Sequence, residues 1–538
     1  MCEGYGPAVD ESGVTSGTIA FPHPTMEHIT ILWPIEGDTN ENAEATVRYR
    51  PVGEGTWREG PPLFRAVATT IQAGAWENRF AGSLFGLEPD TEYEVEVTVS
   101  DPDGGCAVEA TTVRTRAVPA PPDPGNEISA TPATVDGVLA SAGPGDIVVL
   151  EPGTYGEIVV PSDGAEGNPL VLRGTPGAVV QGDVRLDGRS DVIVEGLSIY
   201  GKVKFNGGTR IAVVRNRIET TEDGIVTYTR AEDAYIADNV VLGATVWAES
   251  SLGVDGDNVG EGIAVTGPGH VIEHNRVAGF RDAISLLEDG AAEDQFSIDI
   301  LRNDVSVAAD DGVEADFCFH DCRVLENRLT NTFVAISSQP SLGGPMYVAR
   351  NVIYNCSYVA FKLYRESVGD VLWHNTVVKN GDAFAVYSGV PVGRTLSRNN
   401  LFLGGPGGTY GGYDSGQGRV LYLPTAYGAD LDYDGVGSET GTIENRIGDV
   451  VFATFDELVQ LSTEQHAVLV DRNVFATPPA YPSDPMMELA PPDLQLAPEG
   501  PAVDAGVPLP GYAVGAGAAP DLGAYEVGTP PPTYGPRP

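Results

Sequence analysis

Asparagines that recur at a fixed spacing constrain the fold of this chain more than any other feature. Eight of them follow short apolar runs: Asn216, Asn239, Asn275, Asn303, Asn327, Asn351, Asn375 and Asn399. The last five are 24 residues apart, and the earlier gaps are 23, 36 and 28 residues. Fixed spacing at this period is typical of a solenoid, and the long gaps indicate loops inserted into regular coils. We expect the asparagines at turns, where their side chains bond main-chain groups from coil to coil.

A second pattern lies upstream of these asparagines: a small residue, then an apolar residue, then alternation. It occurs at Gly224-Ile225, Gly262-Ile263, Ala283-Ile284, Gly312-Val313, Ala335-Ile336, Ala360-Phe361 and Ala383-Phe384. Alternation favours β-strands, because successive side chains of a strand point to opposite faces. The segments between turns are too short and too rich in Val, Ile and Tyr for amphipathic helices. The sequence therefore predicts an all-β solenoid of parallel strands stacked coil on coil.

The charge of the chain limits its partners. With 31 Lys and Arg against 76 Asp and Glu, the formal net charge is −45, which argues against nucleic acid, because phosphate binding needs a basic surface. The same charge repels a polyanionic glycan unless local cations or a metal intervene. It favours solubility in salty or extracellular surroundings. No apolar run approaches the roughly 20 residues of a transmembrane helix, so no transmembrane segment is predicted.

The first residues leave the question of secretion open. No signal peptide is recognisable, but Met1 followed by Cys2 fits a chain whose secretion signal has been replaced by an initiator. Cys2 is then a candidate site for a lipid anchor, and a chance cysteine at this position is the alternative.

The other cysteines fit an oxidising compartment. Five cysteines leave one unpaired or engaged elsewhere. Cys318 and Cys322 lie in one turn segment and can close a local disulfide. The alternative is a metal site formed by these two residues with His320, which lacks a second Cys or His cluster at a recognised spacing.

Changes in composition divide the chain into five segments. These are a flexible N-terminal segment (1–20), a β-sandwich (21–117), a Pro-rich linker (118–126), the solenoid with its C-terminal cap (127–528) and a disordered tail (529–538). The linker is semi-rigid and is expected to hold the sandwich against or near the first coil. Within the cap, residues 454–461 predict a short helix, with Thr454 as its N-cap and Glu457 three residues further on.

The segment before the linker resembles a fibronectin type III domain. Residues 29–33 and 45–50 read as two of its strands, and Trp33 as its core aromatic residue. Tyr93 follows a turn in the manner of the tyrosine corner of immunoglobulin-like sandwiches. Such modules are spacers or binding appendages, and we assign no chemistry to this one.

The solenoid resembles the right-handed parallel β-helix of the pectin-lyase-like superfamily. The repeated units described above carry the resemblance, together with residues 133–155, which are similar to the cap helix and first coil of that family. Residues 501–506 and 521–526 are similar to its closing turns. The resemblance implies the β-helix fold, but it leaves the chemistry open, because different sites are built on shared folds.

Stacked coils predict which side chains share a face. If the apolar residue after each Gly or Ala points inward, the next residue points outward, and so does the residue two positions further on. Three neighbouring coils then form one outward patch of Glu314, Asp316, Ser337, Gln339, Lys362 and Tyr364. With strands about 4.8 Å apart, Lys362 lies on the order of 10 Å from the two acids, a span that fits a sugar ring. The alternative is an ordinary solvated face.

The first functional hypothesis is β-elimination on a uronic-acid polysaccharide. The reaction neutralises a carboxylate and removes the proton beside it, so it needs a cation and a base. The family resemblance implies Glu314 and Asp316 as Ca²⁺ ligands. It implies Lys362 as the base and Arg365 or Arg281 as the charge partner of the substrate. Further contacts to the polysaccharide are expected from Ser337, Gln339, Tyr228, Tyr364, Tyr387 and His320.

The second hypothesis is glycoside hydrolysis by two carboxyl groups. Glu314 and Asp316, two apart on a strand, are expected roughly 6 to 7 Å apart, near the lower end of the inverting range. Asp310 and Asp311 resemble the paired aspartates of β-helix polygalacturonases. However, Asp311 has companions in the same turn position at Asp223, Asp282 and Asp382, and this recurrence favours turn capping for Asp311.

A third hypothesis is a non-catalytic, glycan-binding surface protein, in which Tyr228, Tyr364 and Tyr387 stack on sugar rings. Uronate epimerisation is a further alternative, since it would use much the same groups as elimination. His274 and His374 precede asparagines of the series and are interpreted as packed turn residues. The sequence favours, narrowly, a secreted or cell-surface, monomeric polysaccharide lyase.

Overall fold

The computed structural model describes residue 2 and residues 4–441, 445–512, 515 and 517–538. The fold is all-β: a small β-sandwich precedes a parallel β-helix, and the predicted fold class is confirmed. Among the described residues, no helix has the length and apolar composition needed to cross a bilayer.

The sandwich consists of two antiparallel sheets of four strands. In spatial order, one sheet contains Val14–Ser16, Ile29–Gly37, Arg79–Leu84 and Phe64–Ala66, and the other contains Cys106–Arg114, Glu92–Ser100, Glu44–Pro51 and Arg58–Glu59. A separate hairpin pairs Thr69–Ile71 with Gly74–Trp76. Trp33 is fully buried between the sheets. The hydroxyl of Tyr93 accepts a hydrogen bond from the main-chain N of Glu88 at 2.8 Å, which fixes the turn before this strand.

The solenoid is built on two long parallel sheets, here named sheet I and sheet II. Sheet I contains Asn126–Ala130, Asp146–Leu150, Leu170–Gly174, Val192–Glu195, Ala212–Val214, Tyr235–Ala237, Val271–Glu273, Asp299–Leu301, Cys322–Leu325, Leu342–Ala349, Val368–Trp373, Val392–Gly393, Leu396–Arg398, Ala426–Tyr427 and Asp430–Asp432. One strand comes from most coils, and each pairs with the strand of the next coil.

Sheet II bends, so that most coils contribute two consecutive segments to it. Its strands are Gly153–Tyr155, Ile158–Val159, Ala178–Gln181, Val184–Arg185, Ser198–Tyr200, Val203–Lys204, Arg217–Glu219, Ile225–Val226, Val240–Leu242, Glu261–Val265, Arg276–Phe280, Asp282–Leu286, Asp304–Glu314, Arg328–Ser338, Val352–Cys356, Phe361–Leu363, Thr376–Val378, Leu401–Gly404, Gly435–Ser438 and Val468–Leu469. In the two longest strands the two segments are continuous across the bend.

The close approach of coils at this bend explains the small residue of the repeated pattern. A Cβ on Gly312 would lie 2.7 Å from the carbonyl oxygen of Ala335, and a Cβ on Gly224 would lie 2.4 Å from that of Gly262. Both distances are shorter than a carbon and an oxygen tolerate. These two positions, where one coil turns beside the next, therefore require glycine.

Smaller elements complete the C-terminal part. A four-stranded sheet contains Phe384–Ala385, Leu421–Leu423, Asn445–Ile447 and Val450–Phe452, and a hairpin pairs Thr409–Tyr410 with Tyr413–Asp414. The α-helices are Val135–Leu139 and Phe455–Leu461, and the 3₁₀ turns are Glu249–Ser251, Asp289–Ala291 and Arg472–Val474. The Thr454 side chain accepts a hydrogen bond from the main-chain N of Glu457, as predicted for the N-cap.

The asparagine ladder forms as predicted except at its last position. From Asn216 to Asn375, each buried side chain donates to the side-chain oxygen of the next asparagine and to main-chain carbonyls. After Asn375 the acceptor is Asn400, at 2.9 Å, and not Asn399. This coil is one residue longer, so Asn399 leaves the ladder and donates to the carbonyl of Val507. The prediction for Asn399 was therefore wrong by one residue.

The sandwich packs on sheet I in the middle of the solenoid, and not on the first coil as expected. The fully buried Arg323 donates to the hydroxyls of Thr30 at 3.0 Å and Ser83 at 2.9 Å. Phe85 of the sandwich makes edge contacts with Tyr347 and Tyr512. These polar and aromatic contacts, on coils far from the linker, determine where the sandwich packs. The short linker to the first coil does not.

Both chain ends are tied down by specific contacts. Cys2 forms a disulfide with Cys106, so its sulfur is not available for the predicted lipid anchor. The tail expected to be disordered runs back along the solenoid: the main-chain N of Gly535 donates to Arg302, and Arg537 forms an ion pair with Asp238 at 2.8 Å.

Candidate functional site

The residues predicted to point outward, directly after the apolar residue of the repeated pattern, stack on one another in sheet II. We name this row the outward column. Strand pairing aligns Val226, Ala264, Ser285, Glu314, Ser337 and Lys362 in successive coils. Sheet II thus brings Glu314, Ser337 and Lys362 onto neighbouring strands. The alternation rule was sufficient to identify this column.

The acids of this column are buried, however, and do not form an exposed patch. Asp316 is 0 % and Glu314 8 % exposed. The carboxylate of Asp316 accepts hydrogen bonds from the Ser337 hydroxyl at 2.7 Å and from the main-chain N of Gln339 at 2.8 Å. The Gln339 side chain in turn approaches Glu288 at 3.4 Å, so the loop that contains Glu288 lies across this end of the site.

Lys362 reaches back toward the acids. Its Nζ lies 2.8 Å from Oδ2 of Asp311, and its side chain is only 12 % exposed. Burial lowers the pKa of Lys362, but the charges of Asp311, Asp316 and Asp310 outweigh that effect and raise the pKa above its usual range. Lys362 is therefore an ammonium group in this pair.

Asp311 departs from the turn-capping role that its companions perform. Asp282 accepts a hydrogen bond from the main-chain N of Asp311 at 2.9 Å, and Asp223 and Asp382 cap Glu261 and Arg419 in the same way. Asp311 instead accepts from Lys362, and its Oδ1 is buried without a hydrogen-bond partner among the described residues. The recurrence of the turn position concealed this difference in the sequence.

Seven carboxyl groups gather here, and we name them the acid cluster: Glu261, Asp282, Glu288, Asp310, Asp311, Glu314 and Asp316. Two overlapping groups have carboxylate oxygens within 4.8 Å of one another: Asp282, Asp311 and Glu314, and Glu288, Glu314 and Asp316. The Oδ2 atom of Asp316, like Oδ1 of Asp311, is buried and lacks a partner among the described residues. Such an oxygen-only set with unused lone pairs fits a hard cation such as Ca²⁺.

Burial and mutual repulsion disfavour full ionisation of the acid cluster. Burial, and then the charge of Asp311, raises the pKa of Asp310 to about 8. Burial raises the pKa of Asp311 to about 6 even though Lys362 opposes the shift. The pKa values of Glu314 and Asp316 are also raised well above the usual range, first by burial.

The two arginines predicted as charge partners are engaged with acids. Arg281 bridges Asp282 at 2.7 Å and Glu261 at 2.9 Å. Arg365 lies 2.5 Å from Asp289 and above the ring of Phe317. Arg365 also lies 3.7 Å from Glu288, so it holds the loop that contains Glu288 and Asp289.

Tyrosines form a wall beside Lys362. The hydroxyls of Tyr364 and Tyr358 lie 3.2 Å apart, and the ring of Tyr358 contacts those of Tyr387 and Tyr413. The sequence identified Tyr364 and Tyr387, but it missed Tyr358 and Tyr413, which lie outside the repeated strand positions.

Other predicted residues lie elsewhere. Tyr228 is exposed on the same face but several coils earlier, where its hydroxyl bonds Asp223. His320 is buried next to the sandwich, stacks on Phe296 and pairs with Asp321, so its prediction as a substrate contact was wrong. Cys318 and Cys322 form the predicted disulfide, which removes the metal alternative that included His320.

Two further expectations concern histidines and the proposed hydrolase pair. His274 and His374 bond Arg302 and Asn399, respectively, as expected of packed turn residues.

Carboxylate oxygens of Glu314 and Asp316 lie within 4.8 Å of each other, closer than the roughly 6.5 to 9.5 Å that inverting hydrolysis uses.

The parallel β-helix fold is compatible with a carbohydrate-active protein, and the specific chemistry has to be argued from the site. No protein-family model matches the chain, and a comparison with curated proteins finds no significant match.

Proposed function

We propose that the protein cleaves an acidic, uronic-acid-containing polysaccharide by β-elimination at the acid cluster. The observation that carries the proposal is the contact of Lys362 with Asp311 beside two buried carboxylate oxygens that lack partners in the part of the chain that the structure describes. Leaving buried charged groups unpaired costs several kcal/mol, roughly 3 to 5 for a broken pair. Titratable groups held at such a cost concentrate at functional sites.

The residues of the acid cluster would hold a divalent cation. Asp282, Asp311 and Glu314 supply one set of oxygens, and Glu288 and Asp316 lie beside them. When bound, the cation would neutralise the carboxylate of the substrate and make the neighbouring C–H group more acidic.

Lys362 and Tyr364 would handle the protons. The proton on the carbon next to the substrate carboxylate passes to the Lys362 nitrogen. The electron pair of the broken C–H bond forms the new double bond, and the bond from the neighbouring carbon to the glycosidic oxygen breaks. Because Lys362 is protonated in its pair with Asp311, it accepts this proton only after that pair has opened and the ammonium group has given a proton to solvent water. The leaving oxygen takes a proton from Tyr364, whose pKa is raised by burial so that its hydroxyl remains neutral.

The tyrosine wall supports a polysaccharide as the substrate. The half-buried rings of Tyr358, Tyr387 and Tyr413 adjoin one another next to Lys362. Aromatic rings offer large, rigid, apolar faces with a polar edge, which suits flat contacts with sugar rings.

The test is the ultraviolet absorbance of the conjugated double bond during incubation with alginate, pectate, chondroitin, hyaluronan or ulvan, with Ca²⁺ or with chelator. We expect an increase with at least one substrate that chelator and Lys362→Ala abolish. Lys204→Ala is the matched control, because Lys204 lies in the same outward column, paired with Val226, far from the acid cluster. New reducing ends without absorbance would indicate hydrolysis instead, and silence in both assays would favour a glycan-binding protein.

We also propose that the protein is secreted or exposed at the cell surface. Its two disulfides, Cys2–Cys106 and Cys318–Cys322, support this location, because disulfides persist in oxidising compartments. Mass spectrometry of protein from its native cells, after alkylation without reduction, is expected to find these four thiols blocked from the reagent. Alkylated thiols at both pairs would argue against this location.

A further inference from the structure

The acid cluster contains two cation-sized groups of oxygens that overlap at one residue. Within each group the oxygens lie within 4.8 Å of one another, and Glu314 is the member that both contain. Two oxygens that bind the same Ca²⁺ at about 2.3 to 2.6 Å can be at most about 5 Å apart. Each group therefore has the dimensions of one ion's ligand set.

Each group also contains one residue with a buried carboxylate oxygen that lacks a hydrogen-bond partner among the described residues, and the two residues are different. Asp311, whose Oδ1 lacks a partner, belongs only to the group with Asp282, and Asp316, whose Oδ2 lacks one, belongs only to the group with Glu288. The other oxygen of each residue is already used, by Lys362 and by Ser337 respectively. One ion placed in either group would leave the buried oxygen of the other group unsatisfied.

The charge of the acid cluster also indicates two bound ions. Among the described residues, the seven carboxyl groups face three cationic side chains: Arg281, Lys362 and Arg365, which lies 3.7 Å from Glu288. When all seven are ionised, four negative charges lack a counter-charge, one divalent ion would leave two of them, and two ions would leave none. Buried charges are tolerated when they are paired or bind a metal.

Glu314 is suited to a bridging position. The Ser285 hydroxyl donates to one of its oxygens at 2.7 Å and orients the carboxylate. A carboxylate has about four lone-pair sites, so this bond leaves capacity for two ions. Paired ions in enzymes are commonly about 3.5 to 4 Å apart, a separation that one carboxylate can bridge.

We propose that the acid cluster binds two divalent cations of the Ca²⁺ type, with Glu314 shared between them. Asp282 and Asp311 complete one ligand set, and Glu288 and Asp316 complete the other. The inference deepens the proposed function and rests on it for the role of the ions, but the binding itself can be measured without any substrate.

The experiment is isothermal titration calorimetry of the full chain with CaCl₂ after treatment with chelator and dialysis. We expect two ions per chain. Asp282→Asn and Glu288→Gln each remove charge from one group only, and each is expected to reduce the number of bound ions to one. Glu314→Gln is expected to weaken both sites by at least tenfold. Asp223→Asn is the matched control, because Asp223 caps an earlier coil in the same turn position and belongs to neither group.

Circular dichroism and melting temperature establish that each variant is folded before it is titrated. A wild-type stoichiometry of one or zero, or two ions retained with unchanged affinity in Glu314→Gln, overturns the proposal. Two bound ions without any elimination activity would leave this inference intact and remove the proposed function. Elimination activity with a single bound ion would leave the proposed function intact and overturn this inference.

Discussion

Lys362 donates a hydrogen bond to Asp311, which lies two coils away, with 2.8 Å between Nζ and Oδ2. The carboxylate of Asp311 is fully buried and the lysine nearly so. Removing the ammonium group leaves a buried carboxylate without its counter-charge. We predict that Lys362→Met lowers the free energy of unfolding by about 3 to 5 kcal/mol in chelator. Adding Asp311→Asn is expected to recover most of that loss, as measured by denaturant unfolding.

An ion pair in solvent provides the control for this prediction. Lys202 pairs with the exposed Glu222 at 3.2 Å, and exposed pairs contribute less than about 1 kcal/mol. Lys202→Met is therefore expected to change stability little. Equal losses in the two lysine variants would show that burial of the Lys362 pair has no energetic consequence.

The asparagine ladder predicts a large effect at one position and a small one at another. Asn327 accepts from Asn303 and donates to Asn351 and to the carbonyl of Ile300, all in the interior. Leaving buried polar groups unsatisfied costs about 1 to 3 kcal/mol each. Asn327→Ala is expected to lower the free energy of unfolding by at least about 2 kcal/mol. Among the described residues, the side chain of the exposed Asn473 bonds its neighbour Asp471 alone, and Asn473→Ala is expected to change stability by no more than about 0.5 kcal/mol.

The fold could be predicted because its signals repeat. The small residue, the inward apolar residue and the asparagine mark the same positions in each coil, so stacking and register follow from spacing alone. Asn399 shows the limit of this argument: it lies 24 residues after Asn375, but the ladder uses Asn400. The spacing of the series cannot distinguish the adjacent Asn399 and Asn400. Only the length of the coil after Asn375 decides which of them joins the ladder.

The candidate site could be predicted only in part, because the loops that cover a strand face do not repeat in the sequence. Alternation placed Glu314 and Lys362 on one column, but their burial depends on loops of irregular sequence, such as the one that contains Glu288 and Asp289. Asp311 was assigned to turn capping for the opposite reason, since its position looks like that of Asp223, Asp282 and Asp382. The difference is a contact with Lys362, which no local pattern indicates.

The end of the ladder predicts a dependence of stability on pH. Asp434 follows Asn400 in the ladder, and its main-chain N donates to Glu464; both side chains are fully buried. Burial, and then the charge of Asp434, raises the pKa of Glu464 well above its usual value of 4.5, and the pKa of Asp434 is also raised. A folded pKa above the unfolded one gives stability that is complete at low pH and is lost as the pH rises through the folded pKa.

We therefore predict that Glu464→Gln, which cannot ionise, gains stability relative to the wild type as the pH rises above 4.5, the ordinary pKa of glutamic acid. The measurement is the difference in melting temperature between the two proteins across the pH range in which both remain soluble. Because the acid cluster titrates identically in both, the difference isolates Glu464. A difference that is independent of pH would show that folding does not raise the pKa of Glu464.

The C-terminal tail predicts a long-range effect of truncation. Tyr534 lies over Arg328 and bonds Tyr525, and Arg537 pairs with Asp238 three coils further toward the N-terminus. Deleting residues 531–538 removes these contacts, and Tyr534→Ala alone is expected to cost about 2 kcal/mol, the value of burying one aromatic side chain. Hydrogen exchange is expected to accelerate around Asp238 in the truncated protein. Tyr200→Ala, at an exposed tyrosine of sheet II, is the control. Unchanged exchange around Asp238 would show that the tail lies on these coils without stabilising them.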